Sequence, residues 1–130
     1  MKLSKIIESQ DSLKKFSNLN LKELNLGYPD VRKVMKLISF VDEEFKIFQK
    51  TINDLVKKYG KMNDEKKQIE IRIDSNEYIE YKKEYEELLN SEVDLKIGKI
   101  KMNLDPTAIE ITFNDAIILE NFFEWGENGK

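Results

Sequence analysis

Residues 31–59 read VRKVMKLISFVDEEFKIFQKTINDLVKKY, in which Val31, Val34, Ile38, Val41, Phe45, Phe48, Ile52, Leu55 and Tyr59 recur at alternating spacings of 3 and 4. That period is a heptad stripe of about four repeats, the mark of a helix with one continuous apolar face. Pro29 suits the first turn, Asp30 the positive end of the dipole, and Gly60 the stop that follows Lys57 and Lys58. A helix from about residue 30 to Tyr59 would run roughly 45 Å at 1.5 Å per residue. Phe45, at its centre, is expected to be buried. Met35, Leu37, Phe40, Ile47 and Val56 widen the apolar surface beyond the narrow seam of a coiled-coil dimer, which favours packing within the chain.

Upstream, Leu3, Ile6, Ile7, Leu13 and Phe16 predict a short amphipathic helix over 4–16. A polar connector over 17–30 follows, carrying Asn18, Asn20, Asn25, Gly27 and Pro29 and studded with Leu19, Leu21, Leu24 and Leu26. The leucines predict that it packs against the core. Downstream, Met62-Asn63-Asp64-Glu65 reads as a turn, and Ile69, Ile71 and Ile73 alternate with polar residues in a strand over 68–73. Asp74 as N-cap, with Glu77 as reciprocal partner, would open a helix over 75–90 whose stripe is Tyr78, Tyr81, Tyr85 and Leu88. A second strand over 93–104 bends at Gly98, and a turn at Asp105-Pro106 leads to a third strand over 109–113. Thr112 and Asp115 match a capping pattern ahead of a last apolar helix running to about Trp125. The expectation is one α+β domain over 1–130. It consists of an N-terminal helix and connector (1–29), a body (30–125) in which the long heptad helix packs with a shorter helix and a sheet of about three strands, short helices at both ends, and a polar tail (126–130).

Composition narrows the function classes. Cysteine and histidine are both absent from the 130 residues, which removes disulfides, thiol nucleophiles, imidazole bases and zinc sites built on nitrogen or sulfur. With 22 basic and 25 acidic residues the net charge is −3, too small a field to steer the chain to nucleic acid. No apolar run approaches the ~20 residues of a membrane span. No catalytic residue, metal site or cofactor is expected, and no binding residue is assigned.

The chain from Pro29 to Trp125, about three quarters of its length, resembles a family of small proteins of unknown function encoded by phages and prophages of Gram-positive bacteria. The residues that carry the resemblance are Leu55-Val56-Lys57-Lys58-Tyr59-Gly60, the segment Glu84-Tyr85-Glu86-Glu87-Leu88-Leu89-Asn90-Ser91-Glu92-Val93-Asp94-Leu95, and Ile111-Thr112-Phe113-Asn114-Asp115. Phe113 departs from the pattern, since the family tends to carry proline after the threonine. The resemblance implies a phage or prophage source and the host cytoplasm as working compartment. It carries over no catalytic residue. The expected role is non-enzymatic: an accessory protein that binds a host protein, such as a defence factor, and inhibits it. The alternative is a virion or tail assembly factor, and a homodimer through the long helix is a further arrangement.

The candidate sites have plainer readings. Asp42-Glu43-Glu44 reads as a solvated face, because adjacent helical residues diverge by ~100°. Glu84, Glu86 and Glu87, beside Lys82 and Lys83, read as surface charge. Tyr78, Tyr81 and Tyr85 read as helix packing more than as a base-stacking platform, and Trp125 as a core plug more than a hot spot. Lys57, Lys58, Lys61, Lys66 and Lys67 form the densest basic set, broken by Asp64 and Glu65 into a solvated turn.

Overall fold

The computed structural model describes residues 1–19, 27–95, 97–102 and 111–126. The first helix, α1 (Leu3–Ser17), buries Leu3, Ile6, Ser9, Leu13 and Phe16 on one stripe, and α2 (Tyr28–Tyr59) is the long helix, 32 residues or about 48 Å. Pro29 lies in its first turn, Asp30 follows, and the backbone N–H of Gly60 donates to the Val56 carbonyl at 2.7 Å. Gly60 is extended rather than left-handed, so its need for glycine is steric. A Cβ there would collide with the Ile69 side chain and the Val56 carbonyl.

After Gly60 the chain turns back as a hairpin of β1 (Lys61–Asn63) and β2 (Gln68–Glu70), with Met62 opposite Ile69. The Asn63 side chain accepts from the backbone N–H of Glu65 and Lys66, so it folds the loop through its own amide. Two expectations are thereby corrected. Met62 and Asn63 belong to a strand, and the second strand ends at Glu70, which leaves Ile73 out in solvent. The next helix, α3 (Asn76–Asn90), is capped by Ser75, whose hydroxyl accepts from the Tyr78 N–H at 3.2 Å. Asp74 had been expected as the cap. It turns instead to Arg72, 3.4 Å away on the surface.

The remaining elements are β3 (Ile100–Met102), α4 (Phe113–Leu119) and β4 (Phe123–Trp125), and the two strands pair in parallel, Ile100 with Phe123 and Met102 with Trp125. The last helix therefore ends at Leu119, not near Trp125. Phe122 and Phe123 enter the core from a short turn and a strand that a continuous apolar helix had been expected to occupy. Strand character in the second predicted strand is confined to 100–102 among its described residues; Ile111 and Thr112 are not in a strand, and Phe113 opens α4. Among the described residues the strands form two separate two-stranded pairs, where one sheet of about three strands was expected. Residues 20–26 of the connector, 103–110 around the predicted turn, and 127–130 of the tail lie outside the described residues; Leu19 packs against the core. The fold is α+β, with a long helix, a shorter one and short helices near both ends.

The core sits at one end of α2. Ile6, Leu13 and Phe16 of α1 meet Val34, Leu37 and Val41 of α2, Ile100 and Met102 of β3, and Leu119, Phe122 and Phe123. Phe16 and Phe123 rings lie 4.9 Å apart. Beyond Val41 no residue of α2 is fully buried, and none of α3 is. Phe45, expected in the core, is half-buried, because the second helix over that stretch covers only one side of the stripe. Leu37, read as a flanking residue, lies deepest together with Val34 and Val41.

A buried polar lock ties α1 to α4. Asp115 accepts from the Ser12 hydroxyl at 2.7 Å, the Thr112 hydroxyl at 2.9 Å and the Lys15 ammonium at 3.3 Å. Its own N–H donates back to Thr112, which completes the cap foreseen for α4. The Ser12 hydrogen bond, with those of Thr112 and Lys15, holds the Asp115 carboxyl below its ordinary pKa against the opposing effect of burial.

Candidate functional site

The distal half of α2 and the face of α3 that meets it carry the most chemically distinctive surface. The heptad spacing sets Phe45, Phe48 and Ile52 on one face of α2, and the 3-4 spacing sets Tyr78, Tyr81 and Tyr85 on one face of α3. Where the faces meet, five rings touch in series. Centroids are 6.4 Å apart for Phe45 and Phe48, 6.1 Å for Phe48 and Tyr85, 6.0 Å for the stacked Tyr81 and Tyr85, and 6.4 Å for Tyr78 and Tyr81. These are attractive aromatic separations, and each ring keeps part of its surface in solvent. Beside the series a groove of about 560 Å³ is walled by Phe45, Phe48, Ile52, Tyr81 and Tyr85, with the exposed amides of Gln49 and Asn53 on its α2 rim. Apart from the two tyrosine hydroxyls, the wall offers rings, an aliphatic chain and amides, groups that bind by contact and hydrogen bonding.

A polar node closes the far end of the helix pair. Lys58 Nζ lies 3.5 Å from Glu84 Oε2 and 5.0 Å from the Tyr59 ring centroid. The Tyr59 hydroxyl and then Lys58 hold the Glu84 carboxyl below its usual range, while Glu84 raises the Tyr59 hydroxyl. Glu84 is thus an interhelical link, whereas Glu86 and Glu87 lie exposed as expected. Lys57, Lys61, Lys66 and Lys67 are exposed, and Lys66 pairs with Glu70 at 3.4 Å. Asp42 and Glu44 are half-buried and Glu43 exposed, and among the described residues no group of three or more acidic side chains could hold a metal ion. Trp125 is half-buried against Phe16 and Phe123 and donates from Nε1 to the Ala116 carbonyl at 3.2 Å, so it fills the core edge. Among the described residues no helix is long and apolar enough to cross a membrane.

The tyrosines were read as packing and the phenylalanines as core, so the open seam between them went unseen. The signal available was the mismatch of lengths. A nine-position stripe faces one about half as long, and the excess leaves rings uncovered. No protein-family model matches the chain, and no match is found among curated proteins or solved structures.

Proposed function

We propose that the chain is a non-enzymatic accessory protein that acts by binding another protein, in a phage-infected or lysogenic host through inhibition of a host factor such as a defence protein. The observation that supports binding is the uneven burial of α2. Its first half is locked into a core, while its second half and α3 hold five rings half in solvent, four of them lining a groove. Aromatic rings in shallow clefts are the usual anchors of protein interfaces. The phage source and the host cytoplasm rest on the family resemblance alone. Affinity purification of the tagged chain from infected or lysogenic cells tests the reading: a stoichiometric host protein whose activity changes when the chain is added is expected. Recovery of phage structural proteins alone would abandon it. The second reading, a virion assembly factor, is favoured by the length of α2, about 48 Å, which a head or tail protein could sheath.

A further inference from the structure

The side of α2 turned away from the heptad stripe carries a pattern of its own. Arg32, Lys36, Ser39, Glu43, Lys46, Lys50, Asn53 and Lys57 follow spacings of 4, 3, 4, 3, 4, 3 and 4, which at about 3.6 residues per turn sets them in one line along the outer edge of the helix. All eight are exposed. Five are cations and one is an acid, a net of +4 that the flanking Asp42 and Asp54 reduce to +2, in a chain whose total is −3. Among the described residues none of the five cations is in an ion pair, whereas Lys58, one residue off the line, turns to Glu84. The line runs about 37 Å from Arg32 to Lys57 at 1.5 Å per residue. No apolar or aromatic residue stands on it; Tyr28 precedes it, and Met35 and Ile47 lie beside it.

We propose that this outer edge of α2 binds the phosphate backbone of double-stranded nucleic acid without reading its sequence. Four of the five cations are lysines, compact charges on flexible stems that meet phosphate oxygens but hold no fixed geometry for base edges. The length of the line is close to one turn of a B-form duplex, about 34–36 Å, so a straight helix edge can follow backbone from end to end. A single strand would need aromatic platforms for its bases, and a protein partner would need apolar anchors; the line offers neither. The net charge of −3 gives no long-range steering, but at contact the reach of a charge is only about 10 Å in 0.1 M salt. A duplex on this edge therefore meets the cations and is largely screened from the acids of α3, which packs on the heptad side.

The inference stands apart from the protein-binding reading, which uses the other side of α2. Fluorescence anisotropy with labelled duplexes of about 20 base pairs in two unrelated sequences, at about 50 mM salt, tests it. Both duplexes are expected to bind equally, at least roughly tenfold tighter than a single strand of the same length or polyglutamate of matched charge, with log affinity falling about 3–4 units per log unit of salt. Lys46→Glu with Lys50→Glu reverses two exposed charges on the line, and Lys82→Glu with Lys83→Glu reverses two exposed charges on α3 with the same change in net charge. The first pair should keep the wild-type Tm and lose at least roughly tenfold in affinity, the second less than about threefold. Lys46→Gln with Lys50→Gln, a milder change to the helix surface, should make the salt slope shallower by about 2. No duplex binding at low salt, equal losses from the two reversals, or an unchanged slope in the glutamine variant would overturn the proposal. Polyglutamate bound as tightly as duplex would overturn it in favour of an acidic protein surface, and a tighter single strand would overturn the duplex assignment.

Discussion

Asp115 shows how much one buried carboxylate decides. It is buried and accepts three hydrogen bonds, two of them from a helix a hundred residues earlier in the chain. Ser12→Ala removes one donor and leaves the others, and is expected to cost about 1–2 kcal/mol in urea denaturation. The folded-state pKa of Asp115 is depressed, so its stabilising contribution is full above the unfolded carboxylate value of about 3.9 and is lost as pH falls through the lower folded value. The Asp115→Asn variant should therefore be less stable than wild type at pH 7, with the gap narrowing below about pH 4. Matching pH–stability curves would refute the lock. The cap half of this network was readable, because Thr112 and Asp115 are three residues apart. The Ser12 half was not, since nothing local marks a serine on a helix as the donor to a distant acid. Asp74 and Ser75 are both good cap residues and lie side by side, so local sequence separates them poorly; the helix begins at Asn76, which puts Ser75 at the cap position and leaves Asp74 to pair with Arg72 on the surface.

At the scale of elements, α2 was legible from end to end because its period, its start and its stop agree. Which part of its stripe is core was not legible, since periodicity reports a face and not what covers it. Phe16→Ala, in the covered end, is expected to cost about 3–5 kcal/mol, and Phe45→Ala, in the half-covered end, about 1–2 kcal/mol. Equal midpoint shifts in chemical denaturation would mean the stripe is evenly buried. Gly60→Ala should cost about 1–3 kcal/mol through the clash with Ile69 and Val56. A loss below about 0.5 kcal/mol would show that the hairpin can shift away from the helix end. The pairing of β3 with β4 was hidden for a different reason. A three-residue strand carries too few positions to show alternation, and only Glu120 and Asn121 separate Phe122 and Phe123 from the apolar residues of α4, a gap short enough to read as one more helical turn.

Taken whole, the molecule has a firm end and a loose one. The amides of α1 and of α2 around residues 34–41 should exchange with solvent only through global unfolding, while those of α3 and the β1–β2 hairpin exchange at least roughly tenfold faster. Uniform protection would contradict the uneven burial. The firm end has a consequence for how the protein is made. Its centre is closed by Phe123, whose ring packs tilted against Phe16 from a strand that pairs with Ile100–Met102 only after α4 has crossed back. Nothing synthesised before residue 122 can fill that space. While translation proceeds, α1 and the first half of α2 can cover each other only in part, and the rest of their apolar faces stays open to chaperones and proteases. A chain stopped after Asn121 should accordingly be degraded in cells and cut by trace protease in vitro, whereas one stopped after Gly126 should resist both.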